Sequence, residues 1–392
     1  MRSLEKIRHR NKKSPNLRHE RPIVAQRALV RSFIPRKPDM PGARSGRPAP
    51  TLDEFVFVDL IRTRFGGHAP EILTGIGDDA AVIRASGSAP WVFTTDLLAE
   101  NIHFSLTSTS LTDLGYKAGA ANLSDVAAMG ARPLYLLVNV AIPPRLTPKG
   151  VSHLYQGLSA VCRPHRVRIV GGDTSASQEG LFIAITAIGR VAGPRAVLRQ
   201  GARPGDILYV SGFIGESLAG LTLLGGGGHP ASETRLSSRH RSRLLRCHRR
   251  PEPRVALGVE LGRHRLATSM IDLSDGLSAD LPHVCEASGV GAQIEANSLP
   301  LSPSLKVFAK ATAQSPVDMA LRGGEDYELL FTSAASDHKK IHALGHRLRV
   351  RITEIGRIMP SSFGRRLHLG SGVLRPLQVT GYRHFSAPGR TS

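Results

Sequence analysis

The chain has 392 residues, 41% of them hydrophobic and 21% charged, with a net charge of +21. That length leaves room for two ordinary domains with buried cores, and no apolar run approaches the roughly 20 residues of a membrane helix. Three widely spaced cysteines, Cys162, Cys247 and Cys285, form neither a disulfide framework nor a CxxC knuckle, and no apolar signal segment opens the chain, so a reducing cytoplasm is expected.

Residues 1–50 hold 14 Lys/Arg against 3 Asp/Glu and are rich in Pro and Ser. Such a segment buries too little apolar surface to offset its ordering entropy, so a disordered basic N-terminal extension is expected. A solvated tail, or an upstream over-extension of the gene, is the plainer reading; a nucleic-acid or targeting role is the other. The rest of the chain spreads its excess charge through Arg-rich stretches such as Arg235–Arg254 without an aromatic ladder. With 5% aromatic residues, a base-stacking nucleic-acid binder is disfavoured, and any such contact is expected only through the basic tail.

From Thr51 apolar strands alternate with amphipathic helices. Trp91–Thr95 reads as a strand ending at Asp96, and Thr112–Met129 has helical spacing, with Leu114, Ala118, Ala121 and Val126 near one face. Leu134–Ile142 reads as a strand closed by Pro143-Pro144. Thr147 then reads as an N-cap, with Pro148 first in a helix running to about Cys162. Val167–Val170 and Phe182–Val191 follow as strands. A Gly/Pro-rich junction at 193–205 divides an N-terminal domain (51–192) from a C-terminal one (206–386), with a short tail at 387–392. In the second half we expect strands at Ile207–Ser211, Thr268–Leu273 and, last, Val350–Ile355. Helices are expected at Glu216–Leu224, Ser278–Ala287 and Pro303–Ala313, and the polar stretch Gly225–Arg250 reads as a surface loop or lid holding a short helix.

The acidic residues carry the chemistry. Of 31 Asp/Glu, ten fall in six short punctuations rich in Gly, Ser or Thr: Gly75–Asp79, Thr94–Asp96, Asn122–Asp125, Gly171–Thr174, Asp272–Gly276 and Gly323–Glu328. Singly, an Asp or Ser at a strand end is an ordinary turn former or helix cap. Together, at the ends of different strands, these carboxylates can converge on one cleft. Their mutual repulsion is relieved by hard divalent cations, and all-oxygen ligation that keeps part of a water shell suits Mg²⁺ shared with phosphates. A P-loop motif, an H-E-x-x-H zinc motif and a G-x-S-x-G elbow are absent. Gly75-x-Gly77-x-x-Ala80 formally fits a dinucleotide fingerprint, but Asp78 and Asp79 would repel a pyrophosphate and Ala81–Ile83 continues as a strand.

In order, these motifs resemble the thiamine-monophosphate kinase family of the aminoimidazole-ribonucleotide-synthetase-like ATP-binding superfamily, over roughly Asp53 to Phe385. The discriminating segments are Asn101–Phe104 (NIHF), Asn122–Gly130 (NLSDVAAMG), Ile271–Leu277 (IDLSDGL), Gly323–Leu329 (GGEDYEL) and Gly381–Phe385 (GYRHF). The resemblance implies a two-domain α/β (α+β) fold and a homodimer whose interface helps form the ATP cleft. It implies transfer of a phosphoryl group from ATP to thiamine monophosphate, giving thiamine diphosphate, with several Mg²⁺ ions. Asp79, Thr94, Thr95, Asp96, Asp125, Asp173, Asp272 and Asp275 match metal-ligand positions, with Asp78 a weaker match. Gly172, Asp173, Arg199 and Ser274 match ATP contacts, and His103, Glu325 and Tyr382 match contacts to the thiamine phosphate. Tyr155 is a candidate for the adenine. No dedicated general base is implied, because the acceptor oxygen is already ionised; metal-bound Asp125 and Asp275 support the transfer. Two alternatives stay open on the residues alone: a sister enzyme acting on a formylglycinamidine or selenide substrate, and a basic nucleic-acid binder with a degenerate enzyme body.

Overall fold

The computed structural model describes residues 54–65, 69–85, 89–225, 236–370 and 372–382. The expected N-terminal extension, the tail at 387–392, residues 226–235 of the Arg- and His-rich stretch and the His384–Phe385 end of the last motif lie outside the described residues.

Helix α1 (Glu54–Phe65) leads into strands β1 (Ile72–Thr74), β2 (Ala81–Ile83) and β3 (Trp91–Ala99). Helix α2 (Leu111–Ala128), strand β4 (Ala131–Ile142) and helix α3 (Pro148–His165) come next. Strands β5 (Arg168–Gly171), β6 (Thr174–Ala176) and β7 (Phe182–Val191) complete the half. The strands form one sheet in the order β1-β2-β3-β7-β4-β5, with β6 also beside β4. β4 runs parallel to β5 and β6, and the other pairs are antiparallel.

Period-two alternation gives this sheet two different faces. Val92 and Leu98 of β3, Ile183 and Ile185 of β7, and Leu136 and Val138 of β4 are buried in one core with Leu114, Leu123, Leu154 and Leu158 of the helices. The opposite face leaves Phe93, Leu97, Tyr135 and Phe182 exposed. Both helices start at side-chain caps: Ser110 accepts from the Asp113 amide at 3.1 Å, and Thr147 accepts from the Gly150 amide at 3.3 Å with Pro148 behind it. They touch backbone to backbone. A Cβ at Gly115 would stand 1.9 Å from the Leu154 carbonyl oxygen, and one at Gly157 1.9 Å from that of Thr112. Only glycine permits that approach, and it fixes the helix that carries Lys117, Ser124 and Asp125.

The second half begins with β8 (Ile207–Ser211), α4 (Glu216–Leu223), α5 (Ser238–Arg249) and α6 (Val255–Arg263). It continues with β9 (Ser269–Asp272), α7 (Leu277–Ser288), β10 (Val290–Glu295), α8 (Pro303–Ala311) and α9 (Pro316–Arg322). Strand β11 (Leu329–Ser333), helix α10 (His338–Leu348) and strands β12 (Ile352–Pro360), β13 (Arg365–His368) and β14 (Leu374–Pro376) close it. Their sheet has the order β14-β13-β10-β12-β8-β11-β9. Strands β8, β9 and β11 are buried along their whole length, so the sheet places Asp272, at the end of its edge strand, beside the first half. There Ala128 of α2 joins a core with Tyr209, Leu257 and Phe331.

Two expectations are corrected. The strand read as the last is β12, which runs on to Pro360 and is followed by two more. Within the basic stretch, Ser238–Arg249 is a full helix docked on the body: Leu244 and His248, one turn apart, are buried. Two of its five arginines are engaged with the body, Arg243 with Glu216 at 2.5 and 2.8 Å and Arg249 with the Ser108 carbonyl at 3.0 Å.

Candidate active site

Side chains from strands β3 and β9, helix α2 and the turn before β2 meet where the two sheets adjoin. On β3, Thr94 and Asp96 point toward α2, and the Thr94 hydroxyl donates to Asp125 Oδ2 at 2.7 Å. On α2, the Ser124 hydroxyl donates to Asp272 Oδ2 at 2.6 Å, both residues being fully enclosed. Asp79, in the turn before β2, is gripped by the Arg199 guanidinium through Oδ1, while Oδ2 is buried without a hydrogen-bond partner. Asp78 shapes this turn by accepting the amides of Asp79 at 2.9 Å and Arg199 at 3.1 Å.

The electrostatics show that these carboxyls feel one another. Burial, then Asp96, Asp272 and Asp79, pushes the Asp125 carboxyl well above the usual carboxylate range. Burial, then Asp79, pushes Asp272 up to about 8, with Asp96 adding to the rise. Burial alone takes Asp96 to about 6, and burial with Asp79 takes Asp78 to about 6. Carboxyls crowded in low dielectric resist ionisation until a cation joins them. An all-oxygen donor set with one orphaned buried oxygen fits a hard divalent ion. Among the described residues no three His, Cys, Asp or Glu side chains are gathered tightly enough to cage an ion alone. An ion here therefore needs oxygens from water or phosphate.

The second wall is made of loops laced together by main-chain bonds. The amides of Glu325 and Tyr327 donate to the carbonyls of Ser274 (2.7 Å) and Leu273 (2.9 Å), and the Tyr382 amide donates to that of Asp275 at 3.2 Å. Asp280, in the first turn of α7, accepts the Asp275 and Gly276 amides at 3.2 and 3.0 Å, which sets the path of the Asp272–Gly276 loop. Three acids in one hexapeptide thus have three jobs. Asp326 accepts the Gly215 and Ser217 amides at the start of α4, Glu328 takes the Arg254 fork, and Glu325 turns toward the cleft onto Lys117 at 2.6 Å. His103, whose Nδ1 accepts the Ala99 amide at 3.0 Å, lies within electrostatic reach of Glu325. The Tyr327 phenol joins both walls: burial, then Glu325, Asp96, Asp272 and Asp125, raises it well above its usual value.

The AIR synthase related protein families match this arrangement, the N-terminal domain over residues 77–191 and the C-terminal domain over 203–366. The thiamine-monophosphate kinase of Bacillus subtilis (strain 168) is 33% identical over 334 residues, covering 85% of this chain and 100% of the relative. That of Escherichia coli (strain K12) is 36% identical over 339 residues, covering 86% and 99%. This chain belongs to the thiamine-monophosphate kinase family. Among solved structures, AaThiL complexed with AMPPCP and TMP superposes with a TM-score of 0.72 at 32% identity, covering 86% of this chain and 99% of that one. The thiamine-monophosphate kinase from Stenotrophomonas maltophilia K279a gives 0.65 at 36% identity, with 82% and 98% covered.

Within this family member some expected site residues stand apart. Thr95 lies on the other face of β3, where its hydroxyl donates to the Ile185 carbonyl at 3.1 Å and accepts from Thr186 at 3.2 Å. Gly172 and Asp173 are exposed between β5 and β6, three strand spacings, about 14 Å, from β3. Gly172 has φ 142°, and a Cβ there would meet the Val138 carbonyl oxygen at 1.8 Å. Tyr155 packs against the first core from α3. Conversely, Ser124, Asp280, Tyr327, Lys117 and His248 were not singled out from the sequence. Ser124 and Asp280 had a signal, since each lies within or just after an acidic motif; the burial of Lys117 and His248 had none.

Proposed function

We propose that Asp79, Thr94, Asp96, Asp125, Asp272 and Asp275 hold Mg²⁺ ions together with the phosphates of ATP, and that His103, Glu325 and Tyr382 receive thiamine monophosphate. The chain phosphorylates thiamine monophosphate to thiamine diphosphate with ATP as donor, the reaction of its family. The observation that carries the metal reading is the convergence of Asp79, Asp96, Asp125 and Asp272 into one electrostatically coupled group with an orphaned Asp79 oxygen.

Bound Mg²⁺ would supply charge neutralisation between donor and acceptor phosphates that otherwise repel. The chain's own residues supply position. Thr94 and Ser124 orient Asp125 and Asp272 by single hydrogen bonds. Arg199, already beside the cluster, has a planar donor fork that suits a phosphate once cations relieve Asp79. Ser274 lies on the loop that meets Glu325, so it links the ATP side to the acceptor side. Thr95 would act through its main chain, since its hydroxyl is turned away. Tyr382, 47% exposed, offers a ring to the cationic thiazolium. The attacking phosphate oxygen needs no strong base, and no side chain here is assigned that role.

A homodimer accounts for what one chain leaves incomplete. The open face of the first sheet carries Phe93, Leu97, Tyr135 and Phe182 at 37, 59, 36 and 40% exposure, a concentration of large apolar groups that a second copy would cover. An ATP cleft shared at that interface gives Gly172 and Asp173 a role they lack beside their own chain's cluster. We place the domains at 51–192 and 206–386, with the junction at 193–205, a division that one sheet in each half supports. Three unpaired cysteines, and no described helix long and apolar enough to cross a membrane, suit a cytoplasmic enzyme.

The test is to supply purified protein with ATP, thiamine monophosphate and graded MgCl₂, and to measure thiamine diphosphate and ADP. Both products should rise together with magnesium. Folded protein that makes neither, or turnover indifferent to magnesium, would overturn the reading.

A further inference from the structure

Glu325 is held by a buried group that neither the reaction nor the motifs assign. Lys117, on α2, is 4% exposed and sends its ammonium to Glu325 Oε1 at 2.6 Å. On α5, His248 is 6% exposed; its Nε2 stands 3.5 Å from the Lys117 ammonium and its Nδ1 3.5 Å from Glu325 Oε2 and 3.1 Å from the Ser217 hydroxyl. An ammonium only donates, so Nε2 must accept and Nδ1 carries the proton. Burial, with Lys117 beside it, lowers this imidazole to about 3, so it is neutral. The neutral ring then accepts from Lys117 and offers its N–H to the Ser217 hydroxyl, with Glu325 Oε2 close by at 3.5 Å. The charges in this group are Lys117 from the first half and Glu325 from the second, bridged by a ring from the basic helix.

An ammonium removed from water costs several kcal/mol unless it is well paired, and an apolar residue would fill the same space on α2 at no such cost. The Glu325 backbone is fixed as well: it adopts φ 62°, unusual for a residue with a side chain, and its amide is tied to Ser274. Residues constrained at both ends in a sparsely populated conformation cluster at ligand sites. The Glu325 side chain keeps 30% exposure, so its partners do not bury it completely. Burial works to raise this carboxyl, but the Lys117 ammonium overcomes it and holds it below the usual value. The result is a carboxylate fixed by a buried counter-charge, on a side chain that its partners do not close off from solvent.

We propose that Lys117 and His248 are positioning residues for the acceptor substrate, fixing the Glu325 carboxylate where it meets the cationic ring system of thiamine monophosphate. This rests on the reading that Glu325 contacts that substrate. It gives the docked basic helix a function at the site: through His248, α5 braces the acceptor wall.

The experiment is steady-state kinetics on the full chain, with the fold checked by circular dichroism and thermal unfolding. Lys117→Met should raise KM for thiamine monophosphate about tenfold, the effect of one weakened charge-assisted contact, with kcat within about threefold and KM for ATP within about twofold. His248→Leu should raise the same KM about threefold, whereas His248→Gln, which keeps an acceptor and a donor, should stay within about twofold of wild type. Added to Glu325→Gln, Lys117→Met should change KM by less than about twofold, because the two share one contact. An unchanged KM in both Lys117→Met and His248→Leu, a parallel rise in KM for ATP, or full additivity with Glu325→Gln would overturn the proposal. Wild-type protein that turns over no thiamine monophosphate would instead strike the acceptor assignment itself, and the clamp with it. Should Lys117→Met fail to fold, the His248 pair decides.

Discussion

Replacing Asp272 by asparagine separates what the carboxylate costs the fold from what it does for the reaction. Asp272 is 2% exposed, and burial with Asp79 lifts its carboxyl from 3.8 to about 8. A carboxyl raised in the folded state favours the native fold fully below the unfolded value and loses that contribution as pH climbs through the folded one. The window is therefore pH 3.8 to about 8, and at 1.36 kcal/mol per pH unit the destabilisation at pH 7 is on the order of 4 kcal/mol. Asparagine keeps an acceptor for the Ser124 hydroxyl and removes the charge. With chelator present, Asp272→Asn should melt several degrees above wild type at pH 8, and the gap should shrink steadily toward pH 4. Added Mg-nucleotide should raise the wild-type melting temperature more than the variant's, and turnover in the variant should fall by at least about a hundredfold. A variant less stable than wild type at pH 8, or a gap that does not change with pH, would refute the reasoning.

Leu97→Asp, on the open sheet face, should convert a dimer to a monomer by sedimentation and remove most turnover; a dimer that persists would dismiss this face as the interface. Tyr382→Ala should raise KM for thiamine monophosphate about fivefold with little change in kcat, the loss of one ring contact to a cation. A loss confined to kcat would exclude stacking.

Much of the site is legible because its acids sit in short Gly-, Ser- or Thr-rich motifs on or beside readable elements, although Asp96 lies inside β3, which runs on to Ala99, and not at the strand end expected at Asp96. Asp96, Asp125 and Asp272 belong to short motifs in which the strand or helix bearing them can be read from apolar spacing, so their convergence follows from the sequence. Strand alternation also separates Thr95 from Thr94 and Asp96, a consequence motif matching alone does not draw. The basic stretch was harder. Its arginine content reads as solvated surface, yet Leu244 and His248 one turn apart mark a buried stripe, visible only once α4 and α8 are known to lie beside it. Lys117 could not be read at all, since a lysine on a helix is normally exposed and its partner Glu325 lies more than two hundred residues away. Strand β11, Leu329–Ser333, is a short apolar run directly after GGEDYE; its length and composition are ambiguous between strand and helix without its neighbours.

Soaking crystals with Mn²⁺ and a non-hydrolysable ATP analogue, then locating the metal by anomalous scattering, tests the central claim most directly. Metal peaks at roughly 2.1–2.3 Å from carboxylate oxygens of Asp79, Asp125 and Asp272, each also touching phosphate, are the expected result. Peaks bound to phosphate alone, with those carboxylates turned away from them, would contradict it.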